Sequence, residues 1–594
     1  MLSLEAGRAA GEDGELTALR DAMAARGPDG CGLWFGPERK VGLAHRRLAI
    51  IDPSSDGAQP MRSAYGALCI SFNGEIYNHR ALRRELSEHG VVFRTQSDTE
   101  VLLHLYRRYG AEMVGRLRGM FAFALWDGER QGVLLARDPF GIKPLYYARA
   151  GHRLIFASQA RPLAALTTGG VCAAGLVGFL VFGYVPEPHT VHQGVEALPA
   201  GTTLWIGPQG VGAPRSYFSI AGVLSAAEGE RGPGGSVAAL RPALLESLRH
   251  HLVSDVPVGL FLSAGVDSGV LLALATEVGG AGMATRTLAF EEFCGTLDDE
   301  APLAERVAAH YGAAHQTHRL TASGFEGEME SLLAAMAQPS IDGVNTYFVA
   351  RATARSGLKV ALSGVGGDEM FGGYPSFRQI PRLTRLLAPF APVPGLWRAL
   401  RRVTAPLLPG RVSPKLAGLL EYGTTVPDAW LLRRALFMPW ELPGIIEPAL
   451  AAAGWEALDA RARLAATVAD LRHPRLQVMA LELGWYMRCQ LLRDADWAGM
   501  AHGLEIRTPL VCADLFRALA PLLVAASPPG KSALTAIARP PLPDGVTTRP
   551  KTGFSTPLAG WLAAQKPGAQ RRGLRDWALM LARRRLGPGL ITQG

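Results

Sequence analysis

Residues Val258-Gly-Leu-Phe-Leu262 form a short apolar run that breaks straight into Ser263-Ala-Gly265-Val-Asp267-Ser268. A brief apolar run bounded by small residues predicts a buried strand, and the sequence after it predicts a helix. Small side chains let backbone N–H groups approach an anion closely, and the start of a helix adds partial positive charge. Ser263 and Ser268 can donate hydroxyl hydrogen bonds, and Asp267 can hold a magnesium ion bridging phosphates. No Gly-Lys-Ser/Thr follows, so this is not a Walker loop. An ordinary strand-to-helix turn is the plain alternative.

A second element narrows the choice. Leu358-Lys-Val-Ala-Leu362 runs into Ser363-Gly364-Val365-Gly-Gly-Asp368-Glu369 and then Phe371-Gly-Gly-Tyr374. Glycines alone could mark a turn, but a turn does not call for two adjacent carboxylates. Two strand-end loops, each with small residues and an aspartate, predict Mg-pyrophosphate binding at the C-terminal edge of one sheet. Helix-like stretches alternating with apolar runs in this half fit a parallel α/β sheet.

At 594 residues the chain exceeds one hydrophobic core, which predicts at least two domains. Hydrophobic residues at 48% against 19% charged exclude a disordered chain. The net charge of +9 comes without a recognition-helix, zinc-finger or RNA-binding signature, so nucleic acid is not an expected partner. The six scattered cysteines form no disulfide framework and fit a reducing cytoplasm. The longest apolar stretch, Val171 to Val185, is broken by glycines and reads as a buried helix, not a membrane span.

Up to about residue 160, short apolar runs such as Phe121 to Trp126 and Val133 to Ala136 alternate with Gly/Asp/Pro turns, predicting antiparallel strands. Tyr77 to Leu86 and Thr99 to Tyr109 carry a helical pattern. The expected division is 1–215, a Gly/Ala/Ser-rich linker over 216–236, a second domain over 237–565 that becomes mainly helical after Pro427, and a basic tail over 566–594. That tail contains Arg571, Arg572, Arg575, Arg583, Arg584 and Arg585, read as a soluble end.

The Ser-Ala-Gly-Val-Asp-Ser loop resembles the pyrophosphate loop of the ATP-pyrophosphatase superfamily. Together with Ser363 to Tyr374 it resembles the synthetase domain of class II, asparagine-synthetase-type amidotransferases. Met500-Ala-His-Gly-Leu-Glu505-Ile-Arg507-Thr-Pro-Leu510, Gly530-Lys531 and Arg549-Pro-Lys551-Thr-Gly-Phe554 are similar to that family's later segments. The resemblance implies ATP and Mg2+ as cofactors. A carboxylate attacks ATP, an acyl-adenylate and pyrophosphate form, and ammonia displaces AMP to leave an amide, by default L-asparagine from L-aspartate. It implies Ser263, Gly265, Asp267, Ser268, Ser363 and Gly364 at ATP, Asp267 and Asp368 at the metal, and Lys531 facing phosphate as catalytic groups. Lys531 could instead be a solvated lysine at a helix start. Ala264 stands where the loop usually has glycine. Val365 stands where the family usually has an acid, which leaves open another acceptor acid or an internal amine; a non-catalytic scaffold of the same fold is a separate alternative, against which Asp267, Asp368 and Lys531 count.

Earlier, Arg26-Gly-Pro-Asp29, Ala44 to Asp52, Phe72-Asn73-Gly74-Glu75-Ile-Tyr77-Asn78, Ser97-Asp98-Thr-Glu100 and Ala136 to Lys143 resemble, in order, the class II glutamine amidotransferase domain. That implies an α+β N-terminal-nucleophile sandwich (αββα) ahead of the α/β parallel-sheet domain. It implies Arg47 on the glutamine carboxylate, Glu75 and Asp98 on its ammonium, and Asn73 with the Gly74 N–H as oxyanion hole. Asn73-Gly74 is also a common hairpin turn, and both uses can coexist. The family's nucleophile is an N-terminal cysteine, whereas the sequence begins Met1-Leu-Ser-Leu4. Either translation starts further upstream or glutaminase activity is lost; the upstream strand and cysteine are expected to be missing here. Small-molecule substrates are the expected partners, and a homodimer is left open.

Overall fold

The computed structural model describes residues 1–5, 7–229, 237–407, 413–525, 528–549, 556–558, 560–561 and 573–592. In its amino-terminal third, a seven-stranded and a four-stranded antiparallel sheet face each other, with helices over both outer faces. Strand periodicity builds these layers, because successive side chains point to opposite faces. In Gly119–Asp127, Phe121, Phe123 and Leu125 pack under helices His79–Glu88 and Asp98–Tyr109. Ala122, Ala124 and Trp126 of the same strand face the second sheet, where they meet Leu145 and Leu154. Helix Asp13–Asp21 closes the other side through Leu16 and Leu19. A ribbon of Gly30–Phe35 and Gly42–Arg47 borders the stack.

The second domain is built on five parallel strands. Their spatial order is Ala314–Leu320, Ala284–Phe290, Val258–Phe261, Val360–Leu362, Glu505–Arg507. The chain first builds outward on one side of Val258–Phe261 and then returns to its other side. The direction of winding therefore reverses between Val258–Phe261 and Val360–Leu362, and a crevice opens at the C-terminal ends of such neighbours. The two glycine loops follow those two strands. Beyond Gly366 the regular elements among the described residues are helices, apart from the strand Glu505–Arg507. The long helix from Pro474 to Met500 widens into π-type turns over Glu482–Leu492.

Four expectations need correction. The segment expected to be a linker contains helix Ile220–Gly229, whose Ile220, Leu224 and Ala227 are buried. Its small residues mask an i, i+4, i+7 apolar row; residues 230–236 lie outside the described residues. The expected basic tail carries helix Leu574–Leu586, with Trp577, Ala578, Leu581 and Ala582 fully buried. Two of its arginines are clamps rather than part of a solvated run: Arg575 donates to Glu441 at 2.8 Å and Arg585 to the Met336 carbonyl at 2.8 Å. Asn73-Gly74 is no hairpin, because it lies inside the nine-residue strand Leu68–Ile76, opposite Ala122 and Phe121. Lastly, a short strand does precede the first helix, Leu2–Ser3 pairing with Leu154 and Arg153. Arg571, Arg572, Lys551 and Phe554 lie outside the described residues.

Candidate functional site

At the sheet crevice, Lys531 Nζ lies between two carboxylates. It donates to Asp267 Oδ1 and stands 3.0 Å from Asp368 Oδ1. Asp267 opens helix Val266–Gly279, Asp368 sits in the short helix Gly367–Phe371, and Lys531 begins helix Lys531–Thr535. Three separate helix starts thus deliver one cation and two anions to one point. Burial alone would lower the Lys531 pKa, but Asp267 and Asp368 outweigh it and leave the pKa raised. The solvated alternative for Lys531 does not hold.

Backbone approach explains the glycines. A Cβ on Gly367 would lie 2.4 Å from the Asp267 carboxylate, and one on Gly373 would lie 2.0 Å from Asp368 Oδ1. Gly366 has φ +96°, a conformation other residues avoid. In the first loop, Ser263 Oγ and Ser268 Oγ are 2.9 Å apart, and the Gly265 N–H donates to Ser263 Oγ at 3.1 Å. Ala264 needs no left-handed backbone, so its methyl is tolerated. Ser363 is fixed from the neighbouring strand, its N–H donating to the Arg507 carbonyl at 2.8 Å. Val365 packs half-buried against the main core. Glu369 points away into the protein, where the Tyr374 hydroxyl donates to it at 2.6 Å. Burial raises its pKa to about 7, against the effect of that hydrogen bond.

The amino-terminal domain holds a cavity of about 150 Å³ lined by Arg47, Asn73, Gly74, Glu75 and Asp98, together with Met1, His45 and Ser71. All five sequence-singled residues converge here. Arg47 is positioned by carbonyls, donating to Ser54 O at 2.7 Å and also to Asp52 O. The Asp98 carboxylate accepts the Ile76 N–H at 2.9 Å. Gly74 has φ +142°, and a Cβ there would lie 2.0 Å from the Met120 carbonyl, so only glycine fits. Burial first, then Glu505 and Asp98, raise Glu75 well above the usual carboxylate range. Asp98 is pushed up to about 6, chiefly by burial. The Met1 amino group, at the cavity wall, donates to the Gly42 carbonyl at 2.8 Å, and burial with Arg153 lowers its pKa to about 5.

Several groups at this pocket escaped the sequence reading. His45 Nδ1 lies 3.1 Å from Ser71 Oγ, and burial holds its pKa near 4. Met500 and Glu505 of the second domain complete the cavity wall. Behind them runs a buried charge network. Arg26 grips Asp496 with two hydrogen bonds of 2.7 and 3.0 Å. Lys143 stands 3.3 Å from Glu505, and Arg507 donates to Glu505 at 2.8 Å and reaches within 3.7 Å of Glu75. Arg507 therefore touches the pocket with its side chain and holds Ser363 with its carbonyl. Partners hundreds of residues apart leave no local signal, although Glu505 and Arg507 stand in the Met500 to Leu510 segment.

Comparison with known proteins accounts for both halves. A glutamine amidotransferase domain profile matches residues 5–218, and an asparagine synthase profile matches residues 239–582. Such a pair of domains defines a carbon–nitrogen ligase. Asparagine synthetase [glutamine-hydrolyzing] 1 of Bacillus subtilis is 32% identical, covering 92% of this chain and 84% of its own length. Asparagine synthetase B [glutamine-hydrolyzing] of Escherichia coli is 31% identical over 62% of this chain and 63% of its own. Amidase chry2 of Gibberella zeae is 31% identical over 61% and 56% respectively. The chain belongs to the asparagine synthase family.

Proposed function

We propose that the chain joins ammonia to a carboxylic acid at the expense of ATP. A carboxylate oxygen attacks the α-phosphorus and pyrophosphate leaves. Ammonia then attacks the acyl carbon, AMP leaves with the C–O bond electrons, and the nitrogen loses a proton. The observation that carries this is the meeting of Asp267, Asp368 and Lys531 at the winding reversal of the parallel sheet. Charge develops on phosphate oxygens in both steps, so pre-positioned N–H groups and a cation are the useful catalysts. Ser263, Gly265, Ser268, Ser363 and Gly364 would cradle the nucleotide, and Lys531 would turn from the aspartates to phosphate. Asp267 and Asp368 offer hard oxygen ligands of the kind Mg2+ takes alongside substrate phosphates, and the bound ion would neutralise phosphate charge.

The amino-terminal cavity is proposed as the glutamine site, with Arg47 on the α-carboxylate, Glu75 and Asp98 on the ammonium, and Asn73 with the Gly74 N–H at the amide oxygen. Crowded carboxylates of raised pKa suit an incoming cation, which relieves their repulsion. Cleavage in this class uses a terminal cysteine thiolate, and mass spectrometry of the native N-terminus identifies the residue that stands there. A small cavity beside Lys143, Met500 and Thr508 adjoins the pocket and offers ammonia a direction inward.

L-aspartate, giving L-asparagine, is the default acceptor. Val365 favours a second reading, in which another acid or an internal amine takes part, since valine cannot accept a proton from ammonia. Pyrophosphate release measured with a panel of acids separates the two. Aspartate-dependent release with asparagine as product supports the default; release only with another acid supports the second; no release with any acid overturns the ligase reading.

A further inference from the structure

A helix on the surface of a globular domain ordinarily turns its apolar stripe inward and its charges to water. Helix Pro394–Thr404 does the reverse. None of its residues is buried, and Leu396, Leu400 and Val403, at i, i+4 and i+7 on one face, are 57%, 42% and 65% exposed. Two of its three arginines reach back to the protein, while Arg402 is exposed. Arg401 donates to Glu421 at 2.6 Å and lies over the Trp440 ring, and Arg398 stands 3.5 Å from Glu421. The apolar row continues to Leu407, one turn further. Among the described residues, eight of the fourteen exposed large hydrophobics fall between Leu386 and Leu416.

Charge is equally one-sided. Between Met370 and Leu420 the sequence has seven arginines and one lysine and no aspartate or glutamate, against a net charge of +9 for the whole chain. In the preceding helix, Ser376–Leu387, the exposed Arg378, Arg382 and Arg385 recur at i, i+4 and i+7, while Phe377, Ile380 and Leu387 are buried. One helix thus offers a cationic row and the next an apolar row. The indole of Trp397 donates to the Phe390 carbonyl at 2.7 Å and its ring meets the Phe390 ring edge-on, so an aromatic pair sits at the turn between them.

We propose that this face docks on the surface of an anionic phospholipid bilayer. The apolar row of Pro394–Thr404 would enter the headgroup boundary, and the cationic row of Ser376–Leu387 would meet lipid phosphates. Charge complementarity selects this occupant. A stretch of fifty residues without one acid fits a uniformly anionic plane, whereas a second copy placed symmetrically would set like charges together. Exposed apolar patches of this kind mark interaction surfaces, and the proposal is independent of the chemistry assigned above.

Flotation of the full chain with liposomes tests it. The chain should rise with vesicles of equal parts phosphatidylcholine and phosphatidylglycerol, at least about tenfold more than with phosphatidylcholine alone, and added salt should release it. The Leu396→Ser/Leu400→Ser/Val403→Ser variant and the Arg378→Glu/Arg382→Glu/Arg385→Glu variant should each stay at the bottom. All six residues are exposed, so circular dichroism and melting should match the parent. Absence of flotation with anionic vesicles, or undiminished flotation of both variants, overturns the proposal. So does a concentration-dependent dimer that the serine variant abolishes in a chain that ignores liposomes.

Discussion

At the sheet edge, Asp267 and Asp368 keep 20% and 22% of their side-chain surface in water and share one lysine. In the amino-terminal pocket, Glu75 and Asp98 are 5% and 4% exposed and confront Glu505 as a third carboxylate, with Arg507 and Lys143 set further back. The first pair holds its cation in direct contact between the two carboxylates, so under the proposed function a ligand must displace or redirect that lysine. The second keeps its cations beside Glu505, behind the carboxylates that line the cavity, so under the proposed function the ligand's ammonium meets those carboxylates directly. Under the proposed function, the same residue type in different surroundings would make an open site for a polyanion and a closed one for a cation-bearing amino acid.

The largest effect is expected where the two regions meet. Arg26→Met leaves buried Asp496 with only Lys143, 4.0 Å away, and should cost about 3 kcal/mol in denaturant unfolding; a loss below about 1 kcal/mol would mean that water reaches the interface. Asp267→Ala should slow pyrophosphate release by about 10²–10³-fold and leave calorimetric glutamine affinity unchanged, keeping the sites separable. Glu75→Gln should do the converse, weakening glutamine about 10–100-fold with ammonia-driven pyrophosphate release intact. If it slows that release too, the sites communicate through Arg507.

The smallest effect is in pH. Asp98 titrates at about 6, raised from 3.8 mainly by burial. Below that value it is neutral and no longer attracts an ammonium, so glutamine affinity should fall about tenfold from pH 7 to pH 5. Stability runs the other way: with a raised folded pKa, the native state holds the extra proton between the two values, and this contribution is lost as pH rises through that window. Asp98→Asn should bind glutamine weakly at both pH values and flatten the profile, as calorimetry can check.

Legibility tracked locality. The two glycine loops could be read because strand, glycines and aspartate are consecutive, and the antiparallel domain because short apolar runs such as Phe121 to Trp126 alternate with turn residues. The helix at Ile220–Gly229 was hidden by residues that resemble a linker, and Leu574–Leu586 by arginines that resemble a tail. In each, burial of a sparse apolar row decides the structure, and the surface it packs on is remote in sequence. Asn73-Gly74 misled as a turn because the dipeptide is common in hairpins; here glycine is demanded by the Met120 carbonyl across the ladder. Arg26, Asp496 and Lys143 form a network that no spacing could announce.

A double-mutant cycle on MgATP affinity tests the convergence of Asp267 and Asp368 most directly. Calorimetry would compare Asp267→Asn, Asp368→Asn and the double variant with the parent. If both carboxylates serve one metal-bound triphosphate, the double loss should fall well short of the sum of the single losses, by 1 kcal/mol or more, roughly the coupling of residues that share a ligand. Strict additivity would mean that the two loops act on different ligands.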